Sequence, residues 1–479
     1  MPVSPEPADR ESAVAPANRE SAVEPAGHKS AVLPADRESS VLHRDLTKSY
    51  RQFVGGDGVY LIDDTSRRYL DAAGGVAVNV VGHGERKITD AIAAHGAEVN
   101  YVYGAAFTSP WQEELARDLA GVTKLTAPKV FFCSGGSEAN ETAVKLARQY
   151  HVERGEPRRW KIISRWQGYH GNTLGMLSVS GRPSWRSIHD PYLFRVPHID
   201  PPYCYRCPYG LTYPSCEVRC AEDLERTIRL EGPETIAAFI AEPVIGTSVT
   251  GVVPVPEYYS RIREICDEFG ILFIADEVLC GYGRTGRPCA IDHWDVVPDI
   301  ITMGKALGSG YAALAACVAD EHVVEALRSG SGQFVHGFTY SGLPLSCFIG
   351  VQVYDMIEDA GLFDRSAEQG KYLFDQLAVL ARHPIVGDIR GLGLLAGVEF
   401  VADRETRRPF PPELNLTERI VACAEQRGLL LRQGVGGANY GSGGDHIQIT
   451  PPYIISRGEI DELVTLLDGV LHEVSAELL

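Results

Sequence analysis

The apolar positions of this chain change period several times. Between residues 110 and 400, strand-like runs (KVFFC, KIISR, TIAAFIAEP, ILFIADEV, DIITMGK) alternate with stretches of helical period. Short apolar runs of this kind suit strands buried on both faces, and their alternation with helices predicts a mostly parallel sheet with crossover connections. Ahead of them, GVYLIDDTSRRYLDAAGGVAVNVVGH reads as two or three short strands joined by Gly and Asp turns. Behind them, DIRGLGLLAGVEF opens a region that mixes strands such as HIQIT with helices such as one starting near Arg457, a smaller α+β lobe.

Residues 1–42 behave differently. Pro7, Pro16, Pro25 and Pro34 lead the units ADRESAV, ANRESAV, AGHKSAV and ADRESSV. A proline in every unit interrupts any helix, and the small polar residues between bury too little surface to offset ordering entropy, so a disordered low-complexity tail is expected. The expected division is a tail over 1–42, the first part of a small domain over 43–109, a large domain over 110–385, and the rest of the small domain over 386–479.

Charge narrows the function. Forty-five basic against 63 acidic residues leave −18, which repels polyphosphate and argues against nucleic acid or an anionic membrane as the main partner. No long apolar run or secretory leader is seen, so a cytoplasmic enzyme acting on small molecules is expected.

Three segments carry candidate chemistry. In FFCSGGSEANE an apolar strand runs into glycines and a helix whose first turn holds Glu138; free amides at such a helix start, with Gly136 and Ser137, can cradle a phosphate. In ILFIADEVLCGYGRTG, Asp276 and Glu277 stand at a strand end, where parallel sheets face their ligand crevice. A carboxylate there could bind a metal, act as a base, pair with a protonated heterocyclic nitrogen, or be structural. In ITMGKALGSGY, Lys305 sits among Met303, Gly304, Ala306 and Leu307; desolvation frees an amine's lone pair for Schiff-base formation, whereas a loop lysine reaching solvent is the bland alternative.

SGGSEA, then YHG at 169–171, AEP at 241–243, DEV at 276–278, Lys305 and HGFTYSG at 336–342 follow one another in an order that resembles the class III (ω-type) aminotransferases. These are enzymes of fold type I that depend on pyridoxal 5'-phosphate, and the likeness runs from about residue 54 to 475. The resemblance implies an α/β fold with a large domain on a mostly parallel seven-stranded sheet and a smaller α+β domain. It implies that Lys305 carries the cofactor as a Schiff base and shuttles a proton, and that Asp276 pairs with the pyridine nitrogen. Val278 and Tyr169 would pack on the two ring faces. Gly136, Ser137 and Thr339 of a second copy would hold the phosphate, so a homodimer with shared sites follows. Glu242 would lie near the cofactor, a structural carboxylate held by backbone amides being the other reading. Arg432 would grip a substrate carboxylate. The reaction implied moves an amino group from an amino acid or amine to an aldehyde or ketone by ping-pong chemistry, in an enzyme suited to specialised biosynthesis.

The chain departs from that pattern at Val76 and Ala77, which would widen the pocket, and at Leu343 after TYSG. Aminomutases and racemases share the fold and the lysine and remain alternatives. A regulator that only binds is a third, disfavoured by the acidic charge and the lack of a helix-turn-helix. Cys204, Cys207, Cys216 and Cys220, spaced C-x2-C-x8-C-x3-C, could form a zinc knuckle, a disulfide pair or reduced packed thiols; no metal is assigned.

Overall fold

Every residue of the strands Ile236–Ala241, Leu272–Asp276 and Ile300–Met303 is buried. Side chains alternate between the two faces of a strand. Phe239, Ala241, Phe273 and Ala275 therefore join one core cluster, while Ala238, Ile240, Leu272 and Ile274 join another. Apolar cover on both faces is why these strands read as continuous rather than alternating runs. Each large side chain so buried contributes roughly 1.5–3 kcal/mol.

The computed structural model describes residues 39–96, 100–435, 437–441 and 443–478. The repeats of the tail, expected to be disordered, lie outside the described residues as far as Glu38. Among the described residues the central sheet has seven strands in the order Lys129–Cys133, Ala315–Ala319, Ile300–Met303, Leu272–Asp276, Ile236–Ala241, Lys161–Arg165, His198–Ile199. Ala315–Ala319 runs antiparallel to both neighbours, and the other recorded pairings are parallel. The fold class expected from the sequence is the one observed. Two strands lacked a sequence signal: His198–Ile199 is too short, and Ala315–Ala319 is an alanine-rich run without β-branched enrichment.

Two smaller sheets flank this one. Phe53–Asp57, Tyr60–Asp63 and Arg68–Asp71 form an antiparallel meander, joined in parallel by Leu429–Leu430 from far along the chain. After Leu431, Arg432–Gln433 enters the other sheet, pairing with Asp445–Ile449 beside Leu395–Phe400 and Val386–Leu392. The cysteine-bearing loop is tied to this second sheet through Glu399. Arg206 Nε donates to its Oε1 at 2.6 Å, Arg390 Nη1 to its Oε2 at 2.7 Å, and the Tyr203 hydroxyl also donates to it. All eleven cysteines are free, so the disulfide alternative for the loop falls. Among the described residues no group of three or more His, Cys, Asp or Glu could hold a metal ion. No described helix is long and apolar enough to cross a membrane.

Candidate active site

Asp276, Lys305, Gly136 and Glu242 all lie at or just past the carboxyl ends of strands in the central sheet, and they line one cavity of about 340 Å³. Amides and side chains at this edge have no further strand partners, so ligand sites form here.

The strand Leu272–Asp276 delivers Asp276 to the cavity wall, where the side chain is fixed from several directions. Oδ2 accepts from Asn140 Nδ2 at 2.8 Å and pairs with His170 Nδ1 at 2.7 Å, and Oδ1 accepts from the Val278 amide at 3.1 Å. Asn140 is held in turn: its Oδ1 accepts from the Thr302 hydroxyl at 2.7 Å, and its Nδ2 also donates to the His170 carbonyl at 2.8 Å. The Thr302 hydroxyl also stands 3.5 Å from Oδ1, but its proton serves Asn140 at the shorter distance, so Oδ1 is the atom still open to an N–H from the cavity.

Glu277, the neighbouring candidate, points elsewhere. Its oxygens accept from the Ala290 and Ile291 amides at 2.9 and 2.8 Å, and it does not line the cavity. The pair DE is therefore divided: Asp276 faces the cavity, and Glu277 closes a backbone turn.

Lys305 follows the strand Ile300–Met303 and the extended Gly304, and its own φ is +46°. A left-handed lysine costs on the order of 1 kcal/mol or more, and such strain persists only where the surroundings impose it. Burial depresses the amine below the usual lysine range, partly offset by the charges of Asp276 and Glu242. A half-buried lysine so placed keeps a larger share of the nucleophilic neutral form.

Gly136 opens the helix Gly136–Glu153, and a Cβ on it would stand 2.5 Å from Val278 Cγ1, so only glycine lets the helix start approach that side chain. Ser137 Oγ accepts from the Asn172 amide at 3.1 Å and lines the cavity beside Gly136. Gly171, with φ +140°, would place a Cβ 2.5 Å from that oxygen, which accounts for glycine in YHG.

Glu242 Oε1 accepts from the Tyr169 amide and Oε2 from the Gly246 amide, both at 2.9 Å. It lines the cavity and also anchors the backbone that carries Tyr169, so the two readings of this residue merge. Burial raises its carboxyl above the ordinary value and raises the Tyr169 phenol likewise.

Arg432 reaches the cavity from its two-residue strand, Nη1 donating to Gln448 Oε1 at 2.8 Å. Burial lowers its pKa to about 10. Val76, named for pocket width, lines the cavity as well, at φ +74° in the turn after Gly74. Thr339 does not join these residues: it is exposed and outside the cavity lining.

Sequence reasoning passed over Asn140, His170, Thr302 and Arg182. Asn140 carried a signal, a polar residue on the alanine-lined inner face of a helix. His170 stood in YHG beside the tyrosine that was chosen. Thr302 and Arg182 had none.

A family model described as "Aminotransferase class-III" matches residues 43–471. An uncharacterised aminotransferase of Bacillus subtilis is 39% identical over 91% of this chain and 98% of its own length. A putrescine–pyruvate aminotransferase of Pseudomonas aeruginosa is 35% identical over 90% and 92% respectively. Among solved structures, an (S)-enantioselective ω-transaminase from Thermomicrobium roseum superposes with a TM-score of 0.84 at 37% identity, covering 89% of this chain and 93% of that one. An amine transaminase from an uncultivated Pseudomonas species, in its PLP-bound form, gives 0.84 at 34% identity, covering 92% and 99%.

Proposed function

The chain belongs to the class III aminotransferases, and from that premise we propose that it binds pyridoxal 5'-phosphate at Lys305 and moves an amino group from an amino-acid or amine donor to an aldehyde or ketone. It is an aminotransferase; the aminomutase and racemase alternatives lose ground to relatives and structural neighbours that are transaminases.

The residues present fit the cofactor. A free helix start with Gly136 and Ser137 suits a phosphate, a fixed carboxylate suits a protonated ring nitrogen, and Tyr169 and Val278 line the space between as apolar faces. When bound, the cofactor supplies an electron sink for charge left at the substrate's α-carbon. This chain's residues do the rest. Asp276, held by Asn140, His170 and the Val278 amide, keeps a negative charge where a ring N–H needs one, with no reorganisation left to perform. Lys305 Nζ, its proton loosened by burial, takes and returns the proton at the substrate carbon. Glu242 positions Tyr169 through its amide. Arg432 offers a carboxylate two parallel N–H bonds.

The observation that carries this reading is the meeting of Lys305 and the locked Asp276 on one cavity wall. Mixing the yellow holoenzyme with a panel of amines and amino acids tests it. Donors should convert the visible absorption to that of the pyridoxamine form, and a protein that no donor converts would refute the reading.

The homodimer is part of the proposal. Thr339 is exposed beside Tyr340, and the aromatic residues Tyr101, Tyr103, Phe107 and Tyr340 are exposed too, with Tyr101 and Tyr340 rings 6.5 Å apart. An apolar surface of this kind suits a second copy that receives Thr339 at its phosphate site. Sedimentation of the holoenzyme should give a dimer. Free thiols throughout suit a reducing cytoplasm.

A further inference from the structure

Arg182 precedes the short helix Pro183–Arg186 and lines the cavity with Lys305 and Arg432. It is 3% exposed, and its Nε and Nη2 have no hydrogen-bond partner among the described residues. Aromatic rings surround it: the guanidinium lies 4.8 Å from the Tyr169 centroid and 4.1 Å from that of Trp185, and the two rings stand at 83°. Arg44 approaches Trp185 from elsewhere, at 5.8 Å, and lines the cavity as well.

Rings attract a guanidinium through its face but leave its N–H groups without acceptors. A buried guanidinium without an anion is costly, and an arriving counter-charge that accepts from its free N–H groups offsets that cost. The carboxylates lining the same cavity cannot serve. Glu242 is bound to the Tyr169 and Gly246 amides, and Asp276 to Asn140, His170 and the Val278 amide. Arg432 has one nitrogen on the neutral Gln448 and adds a second positive charge that works against Arg182. Burial and that charge lower Arg182 to a pKa of about 10, which still leaves it cationic at neutral pH.

We propose that Arg182 is a second anion-recognition residue of the substrate pocket and that, acting with Arg432, it selects a co-substrate bearing two carboxylates. The inference rests on the aminotransferase reading, which makes this cavity the substrate site. A monocarboxylate satisfies one guanidinium and leaves the other unpaired, while a dicarboxylic amino or oxo acid answers both. Arg182 thereby becomes the residue that separates dicarboxylic from monocarboxylic partners.

Calorimetric titration of the holoenzyme with glutarate and with butyrate tests this without turnover. The unmodified protein should bind glutarate at least ~10-fold more tightly than butyrate, as two charge-assisted contacts exceed one. Arg182→Gln and Arg182→Met should lower that ratio below about threefold, and Arg182→Lys, which keeps the charge but not the fork, should fall between. A ratio near one in the unmodified protein overturns the proposal, a measurement that depends on no variant folding. So does an undiminished ratio in Arg182→Gln, or loss of pyridoxal phosphate from that variant on dialysis, which would assign Arg182 to the cofactor. Conversion of the unmodified protein's spectrum by amine donors tests the aminotransferase reading separately. Conversion with a glutarate ratio near one defeats this inference alone, and absence of conversion defeats the function.

Discussion

Asp276 and Arg182 line the same cavity and are equally buried, each 3% exposed, yet the protein treats them in opposite ways. Asp276 is held by Asn140, His170 and the Val278 amide, and Thr302 bonds Asn140 and also reaches Asp276 at 3.5 Å. Arg182 leans on rings and leaves Nε and Nη2 unbonded among the described residues. A charge needed at every turnover gains from being fixed beforehand, because reorganisation would add to the barrier. A charge that must accept two different substrates gains from being left open. On the function proposed above, the satisfied wall serves what stays bound, and the unsatisfied wall what comes and goes.

Removing the group on which the chemistry converges should give the largest effect. Lys305→Ala should lower turnover by about 10⁴-fold or more, since nucleophile and proton carrier go together, and the bound cofactor should lose its visible imine absorption. Parent-like turnover would end the comparison, because the fixed wall would then fix nothing that matters.

Asp276→Asn breaks the fixed wall while keeping its shape. Without a negative charge the ring N–H loses its partner, and proton abstraction, followed in single-turnover half-reactions, should slow by about 3 kcal/mol or more, over a hundredfold. A rate within threefold of the parent would show that another group supplies the charge.

On the open wall, Arg432→Ala should lower kcat/KM for an amino-acid donor by roughly 1.5–3 kcal/mol, one charge-assisted contact. Side-by-side half-reactions with a neutral amine sharpen the reading. Equal losses on both donors would mean that Arg432 supports the fold, and the two walls would no longer differ in kind.

The smallest effect should come from Thr302→Val. It removes the hydroxyl behind Asn140 and should cost about 1 kcal/mol of stability, read as a lower unfolding temperature. Proton abstraction should slow by less than tenfold, since Asn140 keeps its bond to Asp276. A loss as large as that of Asp276→Asn would show the frame to be far less redundant than its bonds suggest.

Much of this was readable from residues alone, for physical reasons. Strands buried on both faces must be apolar along their length, so the runs around Phe239 and Phe273 announced a parallel sheet, and strand ends announced where Asp276 and Lys305 would meet. Burial and spacing did not separate Asp276 from Glu277, because adjacent carboxylates differ only in which partners fold back onto them, and it was the family resemblance that selected Asp276. Arg182 was invisible because nothing local marks an arginine whose partners are absent: its burial comes from Tyr169 and Trp185 closing around it. For Cys204, Cys207, Cys216 and Cys220 the spacing left zinc, a disulfide and reduced thiols open, and the thiols are free. The loop is held by Tyr203 and Arg206 on Glu399 instead.

The parallel pairing of Leu70 with Leu429 has a consequence for how the chain is made. Nearby, Arg67 donates to the Gln426 carbonyl, a contact spanning 359 positions. The meander Phe53–Asp71 is made with one edge uncovered, and the strand that covers it follows only after some 359 further positions. Pairing across such a separation is slow, and an open edge can join another chain in the meantime. Synthesis rate and chaperone supply should therefore govern the yield of this protein more than the stability of its finished core, and a chain truncated before Leu429 should aggregate rather than fold into a smaller enzyme.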